Sequence, residues 1–468
     1  MELVARSPYV FEILQIEAIA LFFVLSSIAL LTWNAFRDDR IPFLMDRGFG
    51  VSLLATSFGI LALSLTLSMG LEYFLLAVGI ALGLVLSIIR PINSLAFFIS
   101  MQLLRPWEVL TDIPLLSALP RASGLIVIAG AIGVRARSSR RPWRLGRGQW
   151  FLLGFAAWAF LSTFFSPSPA DAQKEFVDGF LRAIVIFFLI TAIVSEKTDL
   201  RLLRDVFLWS VMGLASVSLF LSWDQIGAPV GDNRLKAVGT IENANDIAAI
   251  IVVAVPFMLR KVFLGRRNIF LWASSLFFFI VTLLSLYLAQ SRGALLALAV
   301  EFLGWLILRS KNRMRALMVA VFLIAVIVPF SNEILRRDVA ELQESSDSRI
   351  IYWRAGLQMA LRSPLFGVGF NRYPLEYESY VTGAKIYEFG ERTAHSTWVL
   401  ALAETGVPGF LLFVCFVLSL AWMAKRIFGK EPDLFAALMA YLVAVSFLSH
   451  TWLIYLYILG GFVEIGRA

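Results

Sequence analysis

His395 stands in Ala-His-Ser-Thr-Trp-Val-Leu-Ala-Leu-Ala-Glu-Thr-Gly-Val-Pro-Gly, residues 394–409, and is one of only two histidines in the chain. An imidazole with an ordinary pKa near 6.5 is the natural acid or base near neutral pH. The plainer role is a histidine at a helix start that satisfies nearby backbone groups, and Ser396 beside it reads as the helix cap. Arg349 and Arg354 lie upstream. A guanidinium forks two hydrogen bonds onto phosphate and keeps its charge. Five positions apart on a helix, the two point in different directions, and either is otherwise a solvated or headgroup-facing arginine. Arg292, in Gln290-Ser291-Arg292-Gly293-Ala294, sits between two apolar runs with almost no loop. A charge so close to hydrocarbon is costly and tends to have a purpose, with snorkelling to headgroups as the alternative. Arg234 and Lys236 precede Asn243-Ala244-Asn245-Asp246, a cluster that reads most simply as a helix cap; Arg234 is a further candidate for ligand contact. His450, between the last two apolar runs, reads as structural, and the single cysteine, Cys415, as packing.

Several chemistries have no residues to carry them. The sequence contains no Asp-x-Asp, no P-loop, no Gly-x-Gly-x-x-Gly and no His/Cys/Asp cluster with ligand spacing, so neither a metal nor a cofactor is expected. Charged residues within the apolar runs are few, unlike an ion or proton pathway. Arginines for pyrophosphate and aromatic faces for sugar rings together suit an anionic phosphate joined to a sugar. The segment from Ser331 to Gly409 supplies many of the aromatics: Tyr352, Trp353, Phe366, Phe370, Tyr373, Tyr377 and Tyr380.

The elements that must position these residues are membrane helices. Hydrophobic residues make up 59% of the chain and charged residues 16%, against about 45–50% and about 25% in a soluble domain. Apolar runs fall at 14–33, 51–69, 71–89, 91–105, 118–134, 150–165, 179–195, 205–222, 245–259, 269–289, 293–308, 316–330, 397–423, 433–449 and 451–465. The expected fold is all-α, a polytopic transmembrane helical bundle of about 13–15 spans with one large, partly helical periplasmic loop. Residues 1–330 would hold transmembrane helices with short loops, 331–396 the large loop, and 397–468 the C-terminal transmembrane helices. The first residues lack the pattern of a cleaved signal peptide.

Basic residues gather between alternate runs, in 135–149 (six arginines), 260–267, 309–315 and at Lys425 and Arg426. These mark the cytoplasm. The net charge of +8 is thus an orientation signal rather than a sign of nucleic acid. The loops at 166–178, 223–244, 290–293 and 331–396 then face outward. Within the last, residues 348–361 read as an amphipathic helix with Ile350, Trp353, Leu357 and Leu361 on one face, able to lie on the membrane or pack over the bundle. Ser363-Pro364 stops it, and Gly367 and Gly369 permit a turn. The helix after His395 is expected to run to about Thr405, with Gly406 closing it and Pro408 in the first turn of the next.

His395-Ser396, nine residues, then Gly406-x-x-Gly409 resembles the His-[Asn/Ser/Gln]-x9-Gly-x-x-Gly signature of the O-antigen ligases. They form a superfamily with O-antigen polymerases and protein O-oligosaccharyltransferases. The large outward loop, the Ser-Arg-Gly turn at 291–293 and Pro364-Leu365-Phe366-Gly367-Val368-Gly369-Phe370-Asn371 look similar to that superfamily too, and the resemblance covers roughly 230–425. It implies a metal-independent, inverting glycosyltransferase in the bacterial inner membrane, multi-pass, with its active site facing the periplasm. The donor would be a glycan on undecaprenyl pyrophosphate. The acceptor would be foremost lipid A-core, as in an O-antigen ligase, or another glycan or a protein, as in the polymerases and protein-glycosylating relatives. The resemblance carries the general base to His395 and the essential arginines to Arg292 and Arg349, with Arg354 close by. Ser396, Gly406 and Gly409 are the remaining motif positions. A non-catalytic transporter or flippase of lipid-linked sugars is the reading from another class.

Overall fold

The computed structural model describes residues 90–105, 119–137, 145–194, 196–222, 234–236, 243–264, 269–309, 339–381 and 392–466. The runs at 14–33, 51–69, 71–89 and 316–330, and most of 223–244, lie outside them. The described residues are all-helical. In chain order the helices are α1 (Pro91–Leu104), α2 (Leu119–Arg137), α3 (Arg147–Thr163), α4 (Pro169–Ile193), α5 (Lys197–Leu221), α6 (Ala244–Leu264), α7 (Ile269–Ala289), α8 (Arg292–Arg309), α9 (Val339–Arg362), α10 (Tyr373–Tyr380), α11 (Thr397–Ile427), α12 (Pro432–Val445) and α13 (Ile454–Gly466). Four of them, α4, α5, α11 and the Trp272–Ala289 portion of α7, are long and apolar enough to cross a membrane.

The chain forms two compact units. In the smaller, α1 packs on α2, Ser210 of α5 donates to Ser100 of α1 at 3.0 Å, and Arg90 pairs with Asp199 at 3.4 Å.

The larger unit comprises residues 141–191, 218–237 and 241–468. Its centre is α6, where every residue from Ile247 to Met258 is buried. A helix apolar on all sides belongs in the interior of a bundle, and α7, α8 and α12 surround it. α11 packs along α3 and carries α9 on its first turns. One end of the unit is basic and tied together: Arg260, late in α6, reaches Asp433 at 2.9 Å and Glu431 at 3.3 Å at the start of α12. The last turn of α11, with Lys425 and Arg426, and the turn after it, with Lys430, lead directly into the start of α12. The other end gathers the starts of α6, α8 and α11, the end of α12, and α9 from Arg349 onward.

At that end α11 breaks. Gly406 adopts φ 65°, ψ −171° inside an otherwise helical run, and Pro408 follows. The break leaves backbone groups unpaired in the helix, and the loop after α9 takes them up. Val368 N–H donates to the Ala403 carbonyl at 2.9 Å, and Val407 N–H donates to the Pro364 carbonyl at 2.8 Å. Trp158 of α3 adds its indole N–H, shared between the carbonyls of Leu365 at 3.1 Å and Thr405 at 3.0 Å. A Cβ on Gly406 would strike Leu365 and Pro364, and one on Gly367 (φ 64°) would strike the Ala403 backbone. Both positions therefore require glycine for the backbone angle and for the space.

A buried carboxylate completes the clasp. Glu404 accepts from Tyr373 N–H at 2.9 Å and from the Trp452 indole at 2.6 Å. Next to it, Arg372 reaches Glu175 at 2.9 Å, and Asn371 donates to the same oxygen at 2.8 Å. Glu175 precedes a π turn at Phe176–Phe180 within α4, which sets Phe176 and Phe180 against Phe370.

The loop's helix docks by an unexpected face. Tyr352, Ala355 and Met359 of α9 form a core with Val368, Tyr373, Tyr377, Ala394, Leu400 and Ala403. Of the expected apolar face only Trp353 packs against this core; Ile350, Leu357 and Leu361 are 46%, 50% and 71% exposed. The small residues on the docked side fit this: Ala355 is in the core, and a Cβ on Gly356 would run into the Val399 side chain of α11. α9 also begins earlier than the sequence pattern indicates, at Val339 rather than 348.

Candidate active site

His395 is placed by the start of α11. Ser396 is the N-cap and accepts from Val399 N–H at 3.5 Å. His395 itself has φ 45°, the left-handed region that residues other than glycine rarely adopt. Holding a histidine there costs of order 1–3 kcal/mol, so the surrounding bonds must fix it. They do so through Thr397, whose hydroxyl donates to the Leu448 carbonyl at 2.8 Å and accepts from His450 N–H at 3.0 Å. Its carbonyl accepts from the Thr451 hydroxyl at 2.9 Å.

The imidazole is half-buried beside Tyr352, 5.7 Å between ring centroids. Burial pushes its pKa below 6.5, Arg349 pushes it further down, Asp246 opposes them, and Arg392 adds a smaller downward push. His395 is thus held neutral near physiological pH, the form that can accept a proton.

Around it lie cations. Arg349, on α9, stands 6.0 Å from the centroid of Phe447. Phe447 also faces Gly293, whose Cβ position would lie 3.7 Å from it. The start of α8, with Arg292 as its first residue, therefore abuts the same aromatic ring as Arg349. The tight turn has a local cause: Gln290 takes φ 48° and ends α7 in a left-handed residue, then Ser291 caps α8 by accepting from Ala294 N–H at 3.4 Å. Arg292 is exposed at a helix N-terminus, where unpaired amides and the helix dipole also favour an anion.

Arg234 joins by another route. It donates to Asn245 Oδ1 at 3.1 Å and to the Ala289 carbonyl at 3.3 Å, while Leu235 N–H donates to the Leu288 carbonyl at 2.9 Å. This pins the segment ahead of α6 to the end of α7. Arg354 is different. It is exposed on α9, and five residues beyond Arg349 means a turn of about 140° around the helix. The structure groups Arg234, Arg292, Arg349 and His395 around the same end of the bundle and leaves Arg354 on the outer surface of α9. Gly406 and Gly409 serve the clasp below, where a Cβ on Gly409 would run into Thr405.

The sequence reading does not single out Arg392, and it takes Asp246 only as part of a helix cap and His450 only as structural. Arg392 acts on His395 from its own strand of chain. Asp246 and His450 are bonded to each other, Nε2 to Oδ1, at 2.9 Å, and His450 Nδ1 meets the Tyr441 hydroxyl at 3.1 Å. His450 is 2% exposed. The Asn-Ala-Asn-Asp cluster does cap α6, since Asn245 N–H donates to Asn243 Oδ1 at 2.9 Å. Only the fold shows that its aspartate faces a histidine 204 positions away.

The arrangement offers a neutral imidazole, several guanidiniums and helix N-terminal amides, all at one end of a bundle of apolar helices. It can accept a proton while neutralising an anion of two or more charges. Residues 277–414 match the family model described as O-antigen ligase. Arg292, Arg349, Arg354, Arg392, His395, Ser396, Gly406 and Gly409 fall inside that stretch; Arg234, Asp246 and His450 fall outside it. A search of curated proteins gives no match.

Proposed function

Starting from an O-antigen ligase family domain over residues 277–414, we propose that this chain is a membrane glycosyltransferase that moves a glycan from undecaprenyl pyrophosphate to an acceptor hydroxyl. The site faces the periplasm from the bacterial inner membrane, and the acceptor is lipid A-core. The observation that carries this reading is His395, held neutral in a left-handed backbone position beside Arg349. A neutral base next to a guanidinium suits attack by a hydroxyl on a carbon whose leaving group is an anion.

In this mechanism His395 takes the proton of the acceptor hydroxyl. The acceptor oxygen forms a bond to the anomeric carbon from the face opposite the pyrophosphate, which inverts that centre. The carbon–oxygen bond to the pyrophosphate breaks, and its electron pair stays on the phosphate oxygen. Arg292 and Arg349 hold that pyrophosphate and stabilise the charge as it develops, with Arg234 adding to the positive field. A pyrophosphate leaves readily without a general acid. No metal is assigned a role.

The decisive experiment is reconstitution of purified protein in liposomes with a lipid-linked glycan donor and, separately, lipid A-core, a second lipid-linked glycan, or a protein acceptor. Glycan appearing on lipid A-core supports the ligase reading. Glycan appearing only on the second lipid-linked glycan or on protein would replace it with a polymerase or protein-glycosylating activity of the same chemistry. Donor crossing the bilayer with no acceptor modified would favour a flippase.

A further inference from the structure

The buried Tyr441–His450–Asp246 chain lies outside the family-matched stretch, and the mechanism above gives it no part. Its geometry is that of a relay. His450 Nε2 lies 2.9 Å from Asp246 Oδ1, and the Tyr441 hydroxyl 3.1 Å from Nδ1; the tautomer with its proton on Nε2 donates to the carboxylate and accepts from the phenol. Both ring nitrogens are then satisfied in the one tautomer. The aspartate is the outermost member, with 26% of its side chain accessible against 2% for His450.

The chain is also fastened to the candidate base. His450 N–H donates to the Thr397 hydroxyl, and Thr451 donates to the Thr397 carbonyl. Thr397 is two residues from His395. One histidine therefore connects, by its ring, to the start of α6 and, by its backbone, to the start of α11. A histidine and a phenol this deeply buried are a high-stakes feature, since losing a partner of either leaves a desolvated polar group. Capping α6 alone needs none of it, because Asn243 already does that.

We infer that Asp246, oriented by His450 and Tyr441, is a positioning residue for the transfer reaction: the counter-charge that stabilises His395 as it takes up the acceptor's proton. This rests on the glycosyltransferase reading above. When the acceptor O–H bond breaks and the His395 N–H bond forms, an imidazolium appears in the field of Arg349 and Arg392. Two guanidiniums disfavour that cation, and Asp246 is the acidic group set against them. The groups facing His395 are thus Arg349 and Tyr352 from α9, Asp246 from α6 and Arg392 from its own segment.

The chain's two histidines make the test direct. Protein labelled with 13C at the histidine Cε1 gives two signals, which the His450→Gln variant assigns. The midpoint of His395 titration and the pH profile of glycan transfer are measured on wild type, Asp246→Asn and Asp246→Glu, all in the same liposomes. Asp246→Asn should lower the His395 midpoint by about one pH unit. It should move the acid limb of the rate downward by the same amount and reduce the plateau rate, and Asp246→Glu should restore all three. If Asp246→Asn does not fold, Tyr441→Phe, which unhooks only the inner link to His450 Nδ1, should lower the His395 midpoint and the plateau rate in the same direction. An unmoved midpoint overturns the inference, as does a moved midpoint with an unchanged rate or a lowered rate with an unmoved limb. Wild type that transfers no glycan instead overturns the glycosyltransferase reading, an outcome visible before any variant is compared.

Discussion

At the scale of single residues, the account turns on how His395 is kept neutral. Burial and Arg349 hold its pKa below 6.5, with Asp246 opposing. A base is active when unprotonated, so transfer should be level through neutral pH and fall only below 6.5, which a pH–rate profile of kcat/KM checks. The same depression links to stability. Below pH 6.5 the unfolded chain binds a proton that the folded site resists, so stability should decline as pH falls through that value. Removing Arg349's charge, as in Arg349→Gln, should move the acid limb upward and raise KM for the donor. His395→Gly fits the left-handed backbone angle without strain yet lacks the base. Its transfer rate should fall by about 10²–10⁴-fold, and added imidazole should restore part of it. The type of this residue was readable in the sequence, and so was the cap at Ser396. The Asp246–His450 bond was not, because it joins positions 204 apart and no local spacing encodes it.

At the scale of elements, the Gly-x-x-Gly end of the motif explains itself as a clasp. Gly406 supplies a backbone angle, Pro408 supplies no N–H, and the loop after α9 fills the gap with two backbone hydrogen bonds. Gly406→Ala meets both a disfavoured φ and a collision with Pro364 and Leu365. It should cost at least about 1–3 kcal/mol, visible as a lower Tm in detergent. Glu404→Gln sets an amide NH2 against one of two N–H donors, Tyr373 or Trp452. It should cost about 1–3 kcal/mol while leaving the pH profile of transfer unchanged. The helix break was legible because glycine and proline have local consequences. The docking face of α9 was not. Periodicity places Ile350, Leu357 and Leu361 on one side and cannot say whether that side meets protein or a lipid surface; the docked side carries Ala355 and Gly356.

At the scale of the molecule, the apolar runs that fall within the described residues translate into helices, because a membrane demands internally satisfied backbone over a fixed length. The run expected at 269–289 coincides with α7, and 293–308 lies within α8 by a residue at each end. The folded chain places the basic end of α6 at Asp433 and the His395 end opposite, along one bundle. Assigning the basic end to the cytoplasm predicts that Leu361→Cys, in a Cys415→Ala background, is labelled by a membrane-impermeant thiol reagent from the periplasmic side alone. Labelling only from the cytoplasm would reverse the orientation. The central claim is that His395 is the base for transfer from a pyrophosphate-linked glycan, and the most direct measurement is the transfer rate of reconstituted His395→Ala beside wild type, both verified as folded and binding donor equally. The account predicts a loss of about 10²–10⁴-fold in rate with donor affinity retained; transfer by His395→Ala at the wild-type rate would contradict it.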